Sequence, residues 1–141
     1  MLASVIGVTA LGLDAGGDIL TLPSHLEFSP AGQPDTTLSP AAITTASPGG
    51  AVTFLPSGGF VATTPVFTGR RGDPDIQVTR FNPDGTLDPA FGTGGVLTTR
   101  IQGNDSVSLL VIQPDGKILA SGASQNAAGV TELALARYLS Q

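Results

Sequence analysis

The side chains that most often carry out catalysis are few in this sequence and do not cluster. The chain has no cysteine and a single histidine, His25, which has no carboxylate pair near it in sequence. The Gly-x-Ser-x-Gly pattern, which places a nucleophilic serine on a tight strand-to-helix turn, is absent. A zinc site built from cysteine and histidine is excluded by the same residue counts. We therefore predict a protein that is not an enzyme and that holds no metal and no cofactor.

Carboxylates are the chemically versatile groups that recur, in Asp84, Asp88, Asp105 and Asp115. Paired carboxylates can hydrolyse a glycosidic bond, and clusters of oxygen ligands bind calcium. Aspartate is also favoured in Pro-Asp-Gly turns, because its side chain hydrogen-bonds to the nearby backbone, and the spacing of a calcium-binding loop is absent. We predict turn-forming roles for these residues and keep a glycoside hydrolase as the less favoured alternative.

The composition indicates that these residues are carried by short strands and tight turns. The 141 residues include 19 glycines and 11 prolines spread along the chain, and only 12% of the residues are charged. That pattern favours a single all-β domain over long solvated helices. The net charge of −5 and the lack of a basic cluster disfavour nucleic acid as a partner. No apolar run reaches the ~20 residues of a membrane helix.

Three predicted hairpins repeat along this domain, at residues 10–20, 52–62 and 110–120. Each has two apolar runs joined by a turn that contains glycine. In the third hairpin, Pro114-Asp115-Gly116 matches a type I turn followed by a glycine bulge, in which the glycine takes a positive φ. We predict the same role for Gly16 and Gly58.

A third strand follows each hairpin and ends in an aromatic residue, Phe28, Phe81 or Tyr138. Fourth strands are predicted at residues 42–46 and 96–101, whereas the third copy ends before one. Residues 1–4 align with residues 43–46 and can supply that strand, so we interpret the N-terminus as a folded strand and not as a signal peptide. The repeats of the single domain 1–141 are then 5–46, 47–101 and 102–141, the last completed by 1–4.

The turn sequences of the second and third copies are specific enough to indicate a family. The runs at residues 80–95, 113–122 and 133–138, with Pro-Asp-Gly turns at 83–85 and 114–116, resemble the bacterial delta-60 repeat. The resemblance implies a β-propeller with about one blade per repeat. It also implies an extracellular or cell-surface location, since the repeat is common in large secreted or surface-attached proteins. The residues themselves leave the compartment unknown.

Three blades of this kind are too few for a closed ring. Propellers usually have about 4 to 8 blades, and repeats bury their apolar faces only against neighbours. We expect two chains to join head to tail as a homodimeric six-bladed ring, with residues 1–4 of each chain completing the last blade of its partner. A β-trefoil, which also packs twelve strands as three repeats, is the structural alternative. Another alternative is that the chain is a piece of a longer propeller.

The predicted function is that of a non-catalytic binding or assembly module that presents loops to a protein or polymer partner. In a propeller the loops at 69–75, 103–106 and 122–129 lie on one face, where a ligand is expected. Six polar residues of these loops are the predicted hydrogen-bonding contacts: Arg70, Arg71, Asn104, Asp105, Gln125 and Asn126. Carbohydrate binding is the alternative. The absence of tryptophan and the presence of one tyrosine count against it, because sugar faces usually stack on aromatic rings.

Overall fold

The structure, a computed structural model, describes residues 10–13, 17–22, 26–35, 50–68 and 72–140. These residues form strands joined by turns, and among them no helix has the length and apolar character needed to cross a membrane. The strands are β1 (Ala10–Leu13), β2 (Ile19–Leu22), β3 (Leu26–Phe28), β4 (Pro34–Asp35), β5 (Val52–Phe54), β6 (Phe60–Val66), β7 (Asp75–Phe81), β8 (Val96–Thr99), β9 (Ser106–Ile112), β10 (Ile118–Gln125) and β11 (Thr131–Tyr138).

The strands form three antiparallel sheets, and each sheet is made of strands that follow one another along the chain. The first sheet contains β1 to β4, the second β5 to β8, and the described part of the third β9 to β11. Every neighbouring pair is antiparallel, which is the arrangement that short turns between successive strands allow. The predicted all-β fold of antiparallel sheets is therefore confirmed.

The hydrogen bonds of the hairpin turns explain why the sequence needs glycine there. In the third hairpin the Gly116 amide donates to the Gln113 carbonyl, and the Gln113 amide donates to the Lys117 carbonyl, each at 2.8 Å. Gly116 has a φ of 79°, a conformation that costs residues with a Cβ roughly 1–2 kcal/mol. Gly58, with a φ of 90°, makes the equivalent bond to the Leu55 carbonyl. The turn residues thus determine both the position and the shape of these two hairpins.

The first hairpin is shifted by one residue from its predicted alignment. Its last strand pair is Leu13–Ile19, which is equivalent to Phe54–Phe60 and Ile112–Ile118 in the other hairpins. The glycine with positive φ comes four residues after the first member of each pair, and in the first hairpin this residue is Gly17, with a φ of 85°. The turn position predicted for Gly16 therefore belongs to Gly17, because two adjacent glycines let the motif be aligned in two ways. Gly16 itself lies outside the described residues.

The fourth strands agree with the prediction where they are described. β8 pairs with β7 and accounts for the predicted strand at 96–101, apart from its last two residues. The short β4 pairs Pro34 with Phe28, just as an isolated bridge pairs Leu87 with Phe81. β4 is therefore equivalent to that bridge and not to β8. The predicted strands at 42–46 and 1–4 lie outside the described residues.

The main hydrophobic core lies between the second and third sheets. Its buried members are Ala51, Val61, Ile76, Val78 and Phe91 from the second sheet and its connections, and Val107, Leu110, Ile118, Ala120 and Tyr138 from the third. Alternate residues of each strand face this core, because successive side chains of a strand point to opposite sides of the sheet. β5 contacts both β1 and β9, so the three sheets follow one another in space in chain order.

The aromatic residues that end the third strands are buried in all three sheets. Phe81 pairs with Phe60 across β6 and β7, and the two rings stack with centroids 4.5 Å apart. The equivalent pairs are Ile19–Phe28 in the first sheet and Ile118–Tyr138 in the third. This repeated pair aligns the sheets residue by residue, and it gives the third strand of each sheet a fixed register.

Candidate functional site

A polar cleft of about 350 Å³ opens where three loops of the second and third sheets meet. One loop precedes β7, one joins β8 to β9, and one joins β10 to β11. The cleft is lined by Asp73, Arg100, Gln102, Gly103, Asn104, Gln125, Asn126, Ala127 and Gly129. Strands that are packed into a core support each loop, so the polar side chains are presented from a rigid base.

Asp105 organises the loop between β8 and β9 from below. Its carboxylate accepts hydrogen bonds from the Ile101 amide at 2.8 Å and from the Ser124 hydroxyl at 2.5 Å. Its own amide donates to the Pro74 carbonyl at 2.8 Å. These bonds tie the loop to β10 and to the segment before β7. Asp105 is only 1% exposed, and its carboxylate holds the loop as the predicted turn-forming role requires. The ligand contact that was also predicted for Asp105 would need this carboxylate to be accessible.

A chain of side-chain amides forms the floor of the cleft. The Asn104 amide nitrogen donates to the Gln125 side-chain oxygen at 3.2 Å, and the Gln125 amide nitrogen donates to the Gly129 carbonyl at 3.0 Å. Asn104 has a φ of 47° and is the one non-glycine residue with positive φ among the described residues. Asparagine tolerates this conformation better than most residues, and it brings the amide into position beside Gln125.

Asn126 shapes the β10–β11 loop on one side of the cleft. Its side-chain oxygen accepts hydrogen bonds from the Ala128 and Val130 amides, both at 3.0 Å. A side chain that closes its own turn in this way is held in a single orientation. Its amide nitrogen has no hydrogen-bond partner in the part of the chain that the structure describes, which leaves two donors for a ligand.

One carboxylate and one guanidinium stand at the other side of the cleft. A Cβ atom placed on Gly103 would lie 3.5 Å from Asp73 Oδ2 and 3.8 Å from Arg100 Nη2, so both side chains reach this glycine. Arg100 Nε also lies 3.8 Å from Oδ1 of the buried Asp75. Two carboxylates, Asp73 and the buried Asp75, thus stand near one guanidinium on this side of the cleft.

The structure places the six predicted contact residues in different ways. Asn104, Gln125 and Asn126 come together in the cleft, Asp105 lies beneath it, and Arg70 and Arg71 lie outside the described residues. Asp73, Arg100 and Gln102, which were not among the predicted contacts, complete the lining. Their signal was their position at the ends of β7 and β8, on the same propeller face as the selected loops.

The other aspartates have the turn roles that the sequence predicts. Asp84 accepts hydrogen bonds from the Thr86 amide and hydroxyl, which lowers the pKa of Asp84 below its ordinary value. Asp115 pairs with Lys117, and hydrogen bonds from that residue lower the pKa of Asp115. A cluster of three or more histidine, cysteine or acidic side chains that could hold a metal ion is not found among the described residues.

Asp88 forms an ion pair, and within the part of the chain that the structure describes its carboxylate contacts Arg80 and the Ala90 amide. Its Oδ2 lies 2.8 Å from Nε of Arg80, and its Oδ1 accepts the Ala90 amide at 3.0 Å. The Arg80 guanidinium also lies 5.1 Å from the centre of the Phe91 ring, a distance at which a cation is attracted to the ring face. Asp88 thereby joins the end of β7 to the turn that leads into β8.

Successive antiparallel sheets, with four strands in the first two and three in the described part of the third, are similar to the four-stranded blades of a propeller. A family model described as a β-propeller domain of unknown function, DUF5122, matches residues 66–91 and 113–141. The first matched segment contains β7 and its ion pair, and the second contains β10 and β11 with the Pro-Asp-Gly turn before them. The match and the sheets together support a propeller-type repeat. Comparison with curated proteins gave no match, and comparison with solved structures gave none.

Proposed function

We propose that this chain is a non-catalytic binding module of delta-60-type propeller blades, which uses the polar cleft to hold a polypeptide segment of a partner protein. The observation that supports this most is the lining of the cleft. Amide groups of Asn104, Gln125 and Asn126 offer donors and acceptors that match those of a peptide backbone. Asp73 adds a carboxylate for a basic side chain of the partner.

A carbohydrate polymer is the second candidate, because side-chain amides also bind sugar hydroxyls. The described lining of the cleft contains no aromatic ring on which a sugar could stack. A peptide needs no such ring, since its backbone can be bound through hydrogen bonds alone. The lining therefore favours the peptide.

Assembly is the second part of the proposal. Two copies form a six-bladed ring, and residues 1–4 of each copy add a strand beside β11 in the last blade of the other. The second sheet has β8 beside β7, whereas the described part of the third sheet ends at β11. Bare strand edges readily accept another strand, and six blades fall within the usual range for a closed propeller.

The binding proposal can be tested with fluorescently labelled protein on a random peptide array and on a glycan array. We expect bound peptides that contain a basic residue, and at least tenfold weaker binding of those peptides by the Asp73→Asn and Gln102→Ala variants. Asp84→Asn, in a turn outside the cleft lining, makes the same charge change and should leave binding unaltered. Binding to glycans that is weakened by the same two cleft variants would contradict the proposal of a peptide ligand and support a carbohydrate ligand. Peptide binding that is as strong in both cleft variants as in the wild type would show that another surface is used.

A further inference from the structure

The outer face of the third sheet carries a patch of exposed aliphatic side chains. Leu133 and Leu135 on β11 are 78% and 61% exposed, and Leu109 and Val111 on β9 are 56% and 44% exposed. β10 lies between these two strands and pairs with both, so the four side chains belong to one sheet. We call Leu109, Val111, Leu133 and Leu135 the outer apolar face. An exposed contiguous apolar patch is characteristic of an interaction surface.

The same repeat positions are buried in the second sheet. Tyr138 and Phe81 occupy equivalent positions at the ends of β11 and β7, which makes Leu133 and Leu135 equivalent to Ile76 and Val78. Ile76 and Val78 are 3% and 0% exposed because the third sheet covers them. The outer apolar face is therefore equivalent to the face of the second sheet that the third sheet buries, but no sheet of the described chain packs on it.

The side chains that pack on the second sheet indicate which side chains could pack on the outer apolar face. The side chains of the third sheet that pack there include Ile118 and Tyr138, with Ile112 packed against the same core. The strand registers make Leu13, Ile19 and Phe28 of the first sheet equivalent to Ile112, Ile118 and Tyr138. Leu13 is 61% exposed, whereas Phe28 is only 7% exposed within its own chain, so Leu13 is the residue through which this surface is open to a partner. One chain thus has both an uncovered face and a surface of the type that covers it.

We propose that the outer apolar face docks against the first sheet of a second copy, on the side that carries Leu13, Ile19 and Phe28. The contact is head to tail, so two copies form two identical junctions and leave neither surface open. This inference rests on the assembly part of the proposed function and specifies the surfaces through which the ring closes. It does not depend on what the polar cleft binds.

The size of the surface is consistent with a stable dimer. Three strands at the usual interstrand spacing and about eight residues of length give a face of roughly 350 Å². Both partners contribute to each of two junctions, so the assembly buries on the order of 1,500 Å², which is the size of a standard specific interface. A single junction would fall well below that size.

The test compares the dissociation of wild type and variants by sedimentation velocity over a range of concentrations. Leu133→Glu and Leu135→Glu place a charge on the outer apolar face, and Leu13→Glu places one on the opposing surface. We expect each to raise the dimer dissociation constant at least 100-fold. Phe67→Glu is the control, because Phe67 is 70% exposed and follows β6 in the second sheet, whereas the two proposed docking surfaces lie on the third and first sheets. It should leave the dissociation constant unchanged. Circular dichroism and cooperative thermal unfolding establish that each variant is folded, and Leu133→Thr provides a milder change that retains strand propensity.

Each other outcome contradicts a specific part of the inference. A dimer that is insensitive to all three glutamate variants would overturn the docking surfaces while leaving the proposed assembly intact. A dimer weakened by Leu133→Glu but not by Leu13→Glu would mean that the outer apolar face pairs with itself. A monomeric wild type would overturn both the docking surfaces and the ring, whereas the array experiment on the cleft would be unaffected.

Discussion

The buried carboxylate of Asp105 shows how a single residue positions the polar cleft. It accepts a backbone amide from its own loop and the hydroxyl of Ser124 from β10, and its amide is bonded to the segment before β7. Three pieces of chain that are distant in sequence are thereby held at one point. A charged acceptor of this kind forms stronger hydrogen bonds than a neutral one.

Replacing this carboxylate should loosen the loop that carries Asn104. In Asp105→Asn the charge is lost and one oxygen becomes a donor facing other donors, so we expect the free energy of unfolding to fall by about 1–3 kcal/mol. Urea denaturation measures this loss. Asp84→Asn, in an exposed turn with its acceptor oxygen retained, is the matched control and should lower the free energy of unfolding much less than Asp105→Asn, because substitutions at surface sites have small effects. Equal losses in the two variants would contradict the role of Asp105.

Tyr138 should make the stability of the protein fall at alkaline pH. Burial raises the pKa of Tyr138 above its ordinary value of 10.0; the Thr99 side chain acts in the opposite direction, and the Asp105 charge adds to the rise. The unfolded chain therefore loses the tyrosine proton first, and stability that is present below pH 10.0 falls as the pH rises through and beyond that value. The loss should be absent in Tyr138→Phe.

The titration of Tyr138 can be observed without interference, because the chain has one tyrosine and no tryptophan. Ultraviolet absorbance of the phenolate should give a midpoint above 10.0 in the folded protein and a lower one in concentrated urea. A folded midpoint at or below that of the unfolded chain would show that the hydroxyl is not buried against the second sheet.

The sequence predicts part of the cleft, for reasons that differ among its residues. Asn104, Gln125 and Asn126 could be selected because loops at the same end of successive blades lie on one face. Asp105 was assigned a ligand contact because sequence alone does not show whether a loop carboxylate points outward or accepts bonds from its own loop. Arg100 and Asp73 were missed because their meeting at Gly103 depends on the packing of two loops that are far apart along the chain.

At the level of elements, the turns made the strands predictable. Pro-Asp-Gly fixes the end of one strand and the start of the next, so the predicted hairpin at 110–120 contains the end of β9 and the start of β10. The outer bounds were missed, because β9 begins at Ser106 and β10 ends at Gln125. The first hairpin had no proline to mark the turn, and its two adjacent glycines shifted the alignment by one residue. The bridge between Phe81 and Leu87 and the equivalent β4 were missed because two-residue pairings have no hydrophobic periodicity.

The bulge in β9 depends on a glycine in the neighbouring strand. The register between β9 and β10 shifts between Ser121 and Gly122, and a Cβ placed on Gly122 would lie 2.0 Å from the Ser106 carbonyl oxygen. Gly122→Ala should therefore separate the two strands locally and lower the free energy of unfolding by about 1–3 kcal/mol. Backbone amides of β9 should exchange hydrogen faster in Gly122→Ala than in the wild type. Ser108→Ala, at an exposed position of β9, is the control; an equally small effect of both changes would contradict this close approach.

For the whole molecule, the repeated sheets support the proposed assembly more than any single site does. The second sheet is buried on the face that the third sheet covers, and the third sheet is bare at the same positions. The sequence predicted this imbalance from the number of repeats, since three blades do not close a ring. It could not predict which side chains are exposed, because the strand registers that align Leu133 with Ile76 are visible only in the structure.

The mass of the protein in solution, measured by light scattering across micromolar concentrations, tests the central claim most directly. Closure of the ring by a second copy predicts a mass of twice the 14.1 kDa of one chain, stable on dilution through this range. A constant mass of 14.1 kDa over the same range would contradict the claim. It would mean that the outer apolar face remains in contact with water in the isolated chain.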